Sequence, residues 1–309
     1  MKGVNVLIGV LWFYLNIVNG NSQYWGPGAI ANEVCRRYKD DSIINHISPD
    51  PLDTRITGEK LAKKGEFPHM VQLGYIKSNK TKYLCSGFII SKKYIITAAN
   101  CVNGENTDQP QFVRAGVTDE HDVSNEQIRS IHNILALSYI TLIRVEEDFN
   151  FNKFVSPVCI YTRDKDPDGP GIFTGWSPAD IVDEKQRHMT KLTLNIDSNE
   201  SCNNTLAPTE KYELSDILVK NKIVCAGGKT IIDGCQIDSG GLLQVYSEDD
   251  NMYYAVGVSS FGSRVCGKKE LPIAFTKFYY YYKWIEDTVW PRVDIISRFL
   301  GVRQEDYIV

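Results

Sequence analysis

The chain has 309 residues, 43% of them apolar and 23% charged, a balance that suits a globular body with a buried core and excludes a disordered chain. With 38 acidic against 34 basic residues the formal net charge is −4, and cationic clusters are no longer than pairs such as Arg36-Arg37. No basic field of the kind that nucleic-acid binding needs is present, so nucleic acid is excluded as a partner.

Residues 1–20, "MKGVNVLIGVLWFYLNIVNG", place Lys2 ahead of a mostly apolar run from Val6 to Val18 and end in small residues, which predicts a secretory signal peptide. The run is shorter than the roughly 20 residues that a helix needs to span a bilayer, and nothing later in the chain is a spanning candidate. Eight cysteines follow, at 35, 85, 101, 159, 202, 225, 235 and 266. An even count behind a secretory signal points to disulfides and an extracellular location, while the absence of any Cys-x-x-Cys pair argues against a zinc site. The sequons at Asn79, Asn199 and Asn203 agree with secretion, although such tripeptides also arise by chance, and Asn199 and Asn203 stand too close for comfortable double occupancy.

Residues 21–55 are polar and turn-rich, as in "NHISPDPLDTR", and are expected to form no core of their own. From Ile56 the texture changes. "HMVQLGYI", "GFIIS", "KYIITAA", "YITLIRV", "GLLQVY" and "YYAVGVSSF" are short, alternating or β-branched runs between turn signals, which predicts an antiparallel all-β body. Near the end, "YYYYKWIEDTVWP" places Tyr281, Trp284, Ile285 and Thr288 at helical spacing, and "VDIISRFLG" repeats that pattern in a tail over 292–309. The tail stripe reads either as a docking helix for a partner or as a face packed on its own body.

In order along the chain stand "RITGE", "CSGFII", "TAANC", "YITLIRV", "PVC", "TGWS", "VCAGG", "DGCQIDSGG", "VSSFG" and a final "WI" helix. Together they resemble the trypsin/chymotrypsin-like serine proteases, in particular the secreted arthropod members of extracellular cascades. The resemblance implies an all-β fold of two antiparallel six-stranded barrels with a C-terminal helix. It divides the chain into a signal peptide (1–20), a disulfide-tethered leader (21–55), a trypsin-like domain (56–291) and the tail. Within that domain the first barrel is expected over about 56–160, the second over about 161–280 and the closing helix over about 279–290. It also implies four disulfides, Cys85–Cys101, Cys202–Cys225, Cys235–Cys266 and Cys35–Cys159, the last tethering the leader.

In the chemistry of that family a serine hydroxyl attacks a carbonyl, a histidine removes its proton, an aspartate orients the histidine, and backbone N–H groups hold the oxyanion. Ser239 in "DSGG" matches the nucleophile. Asn100 in "TAANC" stands where the family has the histidine, and an amide takes up no proton near neutral pH. Tyr139 matches the aspartate position, where a phenol of ordinary pKa about 10 lacks the negative charge that role requires. Ile237 replaces the glycine whose N–H is half of the oxyanion hole. Asp233 matches the specificity-pocket carboxylate, but Ile273 in "LPIAFT" replaces a glycine that keeps the pocket open, which predicts an obstructed pocket.

Magnitudes weigh against turnover: losing the base costs about 10⁶ in the subtilisin case and losing an oxyanion donor about 10² to 10³. The activation parts match the family better. Arg55-Ile56 resembles the cleavage junction, and Asp238 the carboxylate that receives the freed Ile56 amino group; the other reading is simple inheritance, with Asp238 hydrogen-bonded in the core. These residues predict a secreted, non-catalytic homologue without cofactor or metal that binds a protein partner, a protease or another cascade component. Two further readings stay open: an endopeptidase or esterase of weak activity through Ser239 and an unusual base, for which His132 is the candidate, and a component of a secretion with no cascade role.

Overall fold

The computed structural model of the protein describes residues 26–40, 60–103, 109–176, 187–206, 222–227, 239–260 and 272–291. The signal peptide, the Arg55-Ile56 junction, Asp233, Cys235, Ile237, Asp238, Cys266 and the tail over 292–309 lie outside the described residues.

The period-two runs become strands because each can bury one face. β1 (Lys60–Leu61) leads into β2 (Met70–Lys77), β3 (Lys80–Ile89), β4 (Tyr94–Ala98), β5 (Phe112–Ala115), β6 (Gln127–Leu137) and β7 (Ile140–Val145). Six of these close into an antiparallel barrel in the order β2-β3-β4-β7-β6-β5, and Val71, Leu73, Phe88, Ile96, Val113 and Leu142 are completely buried in its core. Closure removes the open strand edges that would otherwise need cover.

The second sheet is built from β8 (Cys159–Ile160), β9 (Pro170–Trp176), β10 (Met189–Asn195), β11 (Ile223–Ala226), β12 (Leu242–Ser247), β13 (Met252–Ser259) and β14 (Ile273–Lys277). Its strands run β10-β9-β12-β13-β14-β11. A bridge between Ile196 and Ala226 joins the last strand back to the first, supported by Asp197 N–H to the Cys225 carbonyl and Gly227 N–H to the Asn195 carbonyl, both 2.9 Å. Phe173 and Phe275 meet edge to face inside, with centroids 4.9 Å apart. The expected limits of the first barrel are narrower in the structure. β1 pairs with β10, and β8 runs parallel to β13, so both ends of the range 56–160 belong to the second sheet.

The leader departs from its sequence reading. Ala29–Asp40 is a helix, set on the body by Ile30, Ala31 and, one turn on, Cys35, all of them buried. Glu33 pairs with Arg36 and Arg37 one turn on, and Arg37 and Lys39 lie at the C-terminal end, where cations favour the helix dipole. Gly28, at φ +73°, precedes the helix so tightly against Thr162 that a Cβ would lie 2.1 Å from the threonine side chain. The helix is tied to the body by Cys35–Cys159 and to the closing helix, Tyr282–Val289, by the buried bond from Ala31 N–H to Glu286 Oε1 at 2.7 Å. Cys85–Cys101 and Cys202–Cys225 are also formed.

One short segment joins the two barrels. Ser86 of β3 donates its N–H to the Ser239 carbonyl (2.8 Å), and Gly240 donates to the Ser259 carbonyl (3.0 Å). Thr97 Oγ1 donates to the Ser86 carbonyl at 2.7 Å. Gly240 has φ +85°, and a Cβ there would stand 2.0 Å from the Ser86 carbonyl oxygen and 2.6 Å from Thr97 Oγ1.

Gly240→Ala is therefore expected to destabilise the protein by at least about 2 kcal/mol, from left-handed backbone strain and backbone contact together, read as a lower denaturation midpoint. Glu286→Ala leaves the Ala31 N–H without its buried acceptor. It is expected to cost about 1–3 kcal/mol and to speed proteolysis within 29–40, whereas Glu286→Gln keeps an acceptor and most of the stability. Equal midpoints and digestion rates for wild type and Glu286→Ala would refute the role given to this bond.

Candidate active site

Asn100 lies in a 3₁₀ turn, Ala99–Cys101, directly after β4. The turn is fixed from three sides. Ala99 N–H donates to the Tyr139 carbonyl (3.0 Å), Tyr75 Oη donates to the Cys101 carbonyl (2.8 Å), and Cys101 is bridged to Cys85 of β3. Ser239 is held opposite by the junction between the barrels. The result brings Asn100 Nδ2 to 2.9 Å from Ser239 Oγ, the amide donating to the hydroxyl oxygen. Two residues 139 positions apart in the chain thus form the pair that the sequence placed at the base and nucleophile positions. Neither end of a primary amide takes up a proton at neutral pH, so the contact orients the hydroxyl without activating it.

Tyr139 stands at the β6–β7 turn, after Ser138 at φ +54°. Its side chain packs against Cys202, Ile223, Cys225 and Ala274 of the second barrel. Its carbonyl also accepts from Ser260 Oγ at 2.9 Å, and that hydroxyl in turn accepts from Thr276 Oγ1 at 2.9 Å. Where a carboxylate would be needed, the structure has a half-buried phenol and a backbone carbonyl fed by neutral hydroxyls. Burial holds the nearby Tyr281 phenol above its ordinary range, so this residue adds no negative charge either.

Ile273 lies opposite Ala226 on β14 and is 4% exposed, packed with Phe173, Leu243, Val256 and Phe275. Its side chain serves the second-barrel core. Asp233, the other residue read as lining the pocket, lies outside the described residues.

His132 is exposed and stands away from the Asn100 turn. This residue sits at an irregularity in β6 between Ile131, paired with Val145, and Asn133, paired with Arg144, whereas the end of the strand nearest Asn100 is Leu137, paired with Ile140. Ile140 in turn lies beside Ala98. Five residues of extended chain separate the two ends, about 15 Å or more, out of reach of Ser239. The segment was the right one, but its strand runs away from the site. His69 is buried beside Phe67 and Tyr253, and His188 faces Asp119 at 3.8 Å. His46 lies outside the described residues.

Asn79 is exposed in the β2–β3 turn. Asn199 and Asn203 are one turn apart on the helix Asn199–Leu206, and Thr205, the hydroxyl residue of the second sequon, donates to the Ser201 carbonyl at 2.8 Å. Sequence reasoning quoted "VSSFG" without giving Ser260 a role; a serine beside a strand end next to the Tyr139 motif was the available signal. The described helices have 12, 8 and 8 residues, and none is long and apolar enough to cross a membrane.

A sequence model of the trypsin family matches residues 56–285. Among curated proteins, the phenoloxidase-activating enzyme of Bombyx mori is 28% identical over 274 residues, covering 77% of this chain and 61% of that protein. The clotting factor G beta subunit of Tachypleus tridentatus is 30% identical over 262 residues, 78% of this chain and 82% of its own length. Serine protease Hayan of Drosophila melanogaster is 27% identical over 257 residues, 78% and 40%. The chain thus spans about six tenths of the first of these proteins and less of the third. With the family match running through both barrels, the chain belongs to the trypsin-like serine proteases, and its similar proteins are of arthropod type.

Proposed function

We propose that this protein is a secreted, non-catalytic member of its family that works by binding another protein of an extracellular proteolytic cascade. The observation that carries this reading is the 2.9 Å contact of the Asn100 amide with Ser239 Oγ. The nucleophile is present and oriented, but its partner cannot remove a proton. The phenol at 139 and the isoleucine at 237, in place of a carboxylate and a glycine, point the same way. Three formed disulfides support an oxidising compartment, and the cascade role is carried over from the names of the similar proteins, a phenoloxidase-activating enzyme and a clotting factor subunit.

The competing reading, weak hydrolysis through Ser239 and another base, has lost its candidate at His132. A fluorophosphonate probe separates the two. Wild-type protein is expected to be labelled no more than Ser239→Ala; labelling that depends on Ser239 would overturn the non-catalytic reading. Asn100→His is expected to give no measurable cleavage of arginyl or lysyl chromogenic substrates, because Tyr139, Ile237 and Ile273 remain. Turnover by that single variant would make the amide the sole block.

A further inference from the structure

Among the described residues, seven of fifteen lysines, Lys39, Lys64, Lys93, Lys165, Lys191, Lys277 and Lys283, each face a carboxylate within 4 Å. The end of the β2–β3 hairpin is different. Lys77, Lys80 and Lys82 stand within six positions of one another, Lys80 and Lys82 exposed and Lys77 half-buried, and none forms an ion pair among the described residues. Exposed apolar side chains, Ile76 and Leu84, each 37% accessible, flank them on the same hairpin.

The register fixes which way these cations face. Lys77 pairs with Lys80, Tyr75 with Lys82 and Leu73 with Cys85, and residues directly opposite in an antiparallel pair share a face. On that face Tyr75 bonds the Cys101 carbonyl and Cys85 is bridged to Cys101. The lysines are therefore on the side of the hairpin that turns toward the Asn100 turn and Ser239. A chain segment lying across the candidate site would continue over them.

We propose that this basic end of the hairpin receives an acidic segment of the protein partner, one that also presents an apolar side chain to Leu84. The proposal rests on the binding role given above and names the surface and the chemistry of the partner. In a chain of net charge −4 the global field repels an acidic ligand, so attraction of one depends on a local group of positive charges such as this. Charges at this spacing act within the screening length of about 8 Å at physiological salt, so they steer and hold a partner chiefly at low ionic strength.

The test is fluorescence anisotropy with a labelled hexaglutamate peptide ending in leucine, against its hexaglutamine counterpart, at low and high salt. It uses the secreted protein and its Asn79→Gln variant, since a glycan on that turn would stand between Lys77 and Lys80. The acidic peptide is expected to bind at low salt and to lose at least tenfold in affinity with Lys80→Glu/Lys82→Glu. Lys165→Glu, at a paired lysine elsewhere, is expected to bind as wild type. Binding that survives the double reversal, or no acidic preference in either form of the protein, overturns the proposal. The outcome is independent of the Ser239 probe, so the surface and the non-catalytic reading can each fail alone.

Discussion

The structure depends on one close approach. Ser239 and Gly240 belong to the second barrel, yet their backbone is bonded to Ser86 of the first, with Thr97 closing the contact from the side. Only a residue without a Cβ fits between the Ser86 carbonyl and Thr97 Oγ1 at the left-handed backbone that Gly240 adopts. Everything at the candidate site follows from that fit. The serine hydroxyl is aimed at the turn after β4, and the turn itself is clamped by Tyr75, Tyr139 and the Cys85–Cys101 bridge.

What the clamp preserves is position, and what the side chains supply there is neutral. The Asn100 amide bonds Ser239, two hydroxyls bond around the Tyr139 carbonyl, and each can share a hydrogen bond without accepting a proton at neutral pH. The framework and the chemistry are separable because they use different atoms. The framework is made of backbone groups and glycine, while the chemistry would need an imidazole and a carboxylate.

Much of this was legible in the sequence because it rests on pattern. Alternating runs such as "HMVQLGYI" read as strands, and the family resemblance carried by "TAANC" and "DSGG" assigned Asn100 and Ser239 to one site. What was hidden rests on three-dimensional register. His132 lies in the expected segment, yet it stands about 15 Å along the strand from the end that lies beside the Asn100 turn. β1 and β8 look like ends of the first barrel in the chain but pair with the second sheet, since two-residue strands carry no periodic signal. The leader helix was missed because its polar, turn-rich neighbours dominate the segment and its first turn lacks an acidic residue. Its apolar stripe is short and needs the body to complete it.

That helix also alters what counts as the folding unit. The family match begins at residue 56, but Ala31, Cys35 and Gly28 are fitted to Glu286, Cys159 and Thr162, which are spread over the middle and the end of the body. A polypeptide started at residue 56 would keep every strand and yet uncover a carboxylate, a thiol and a cleft shaped around a missing glycine. The family match and the packed body therefore have different starting points in this chain.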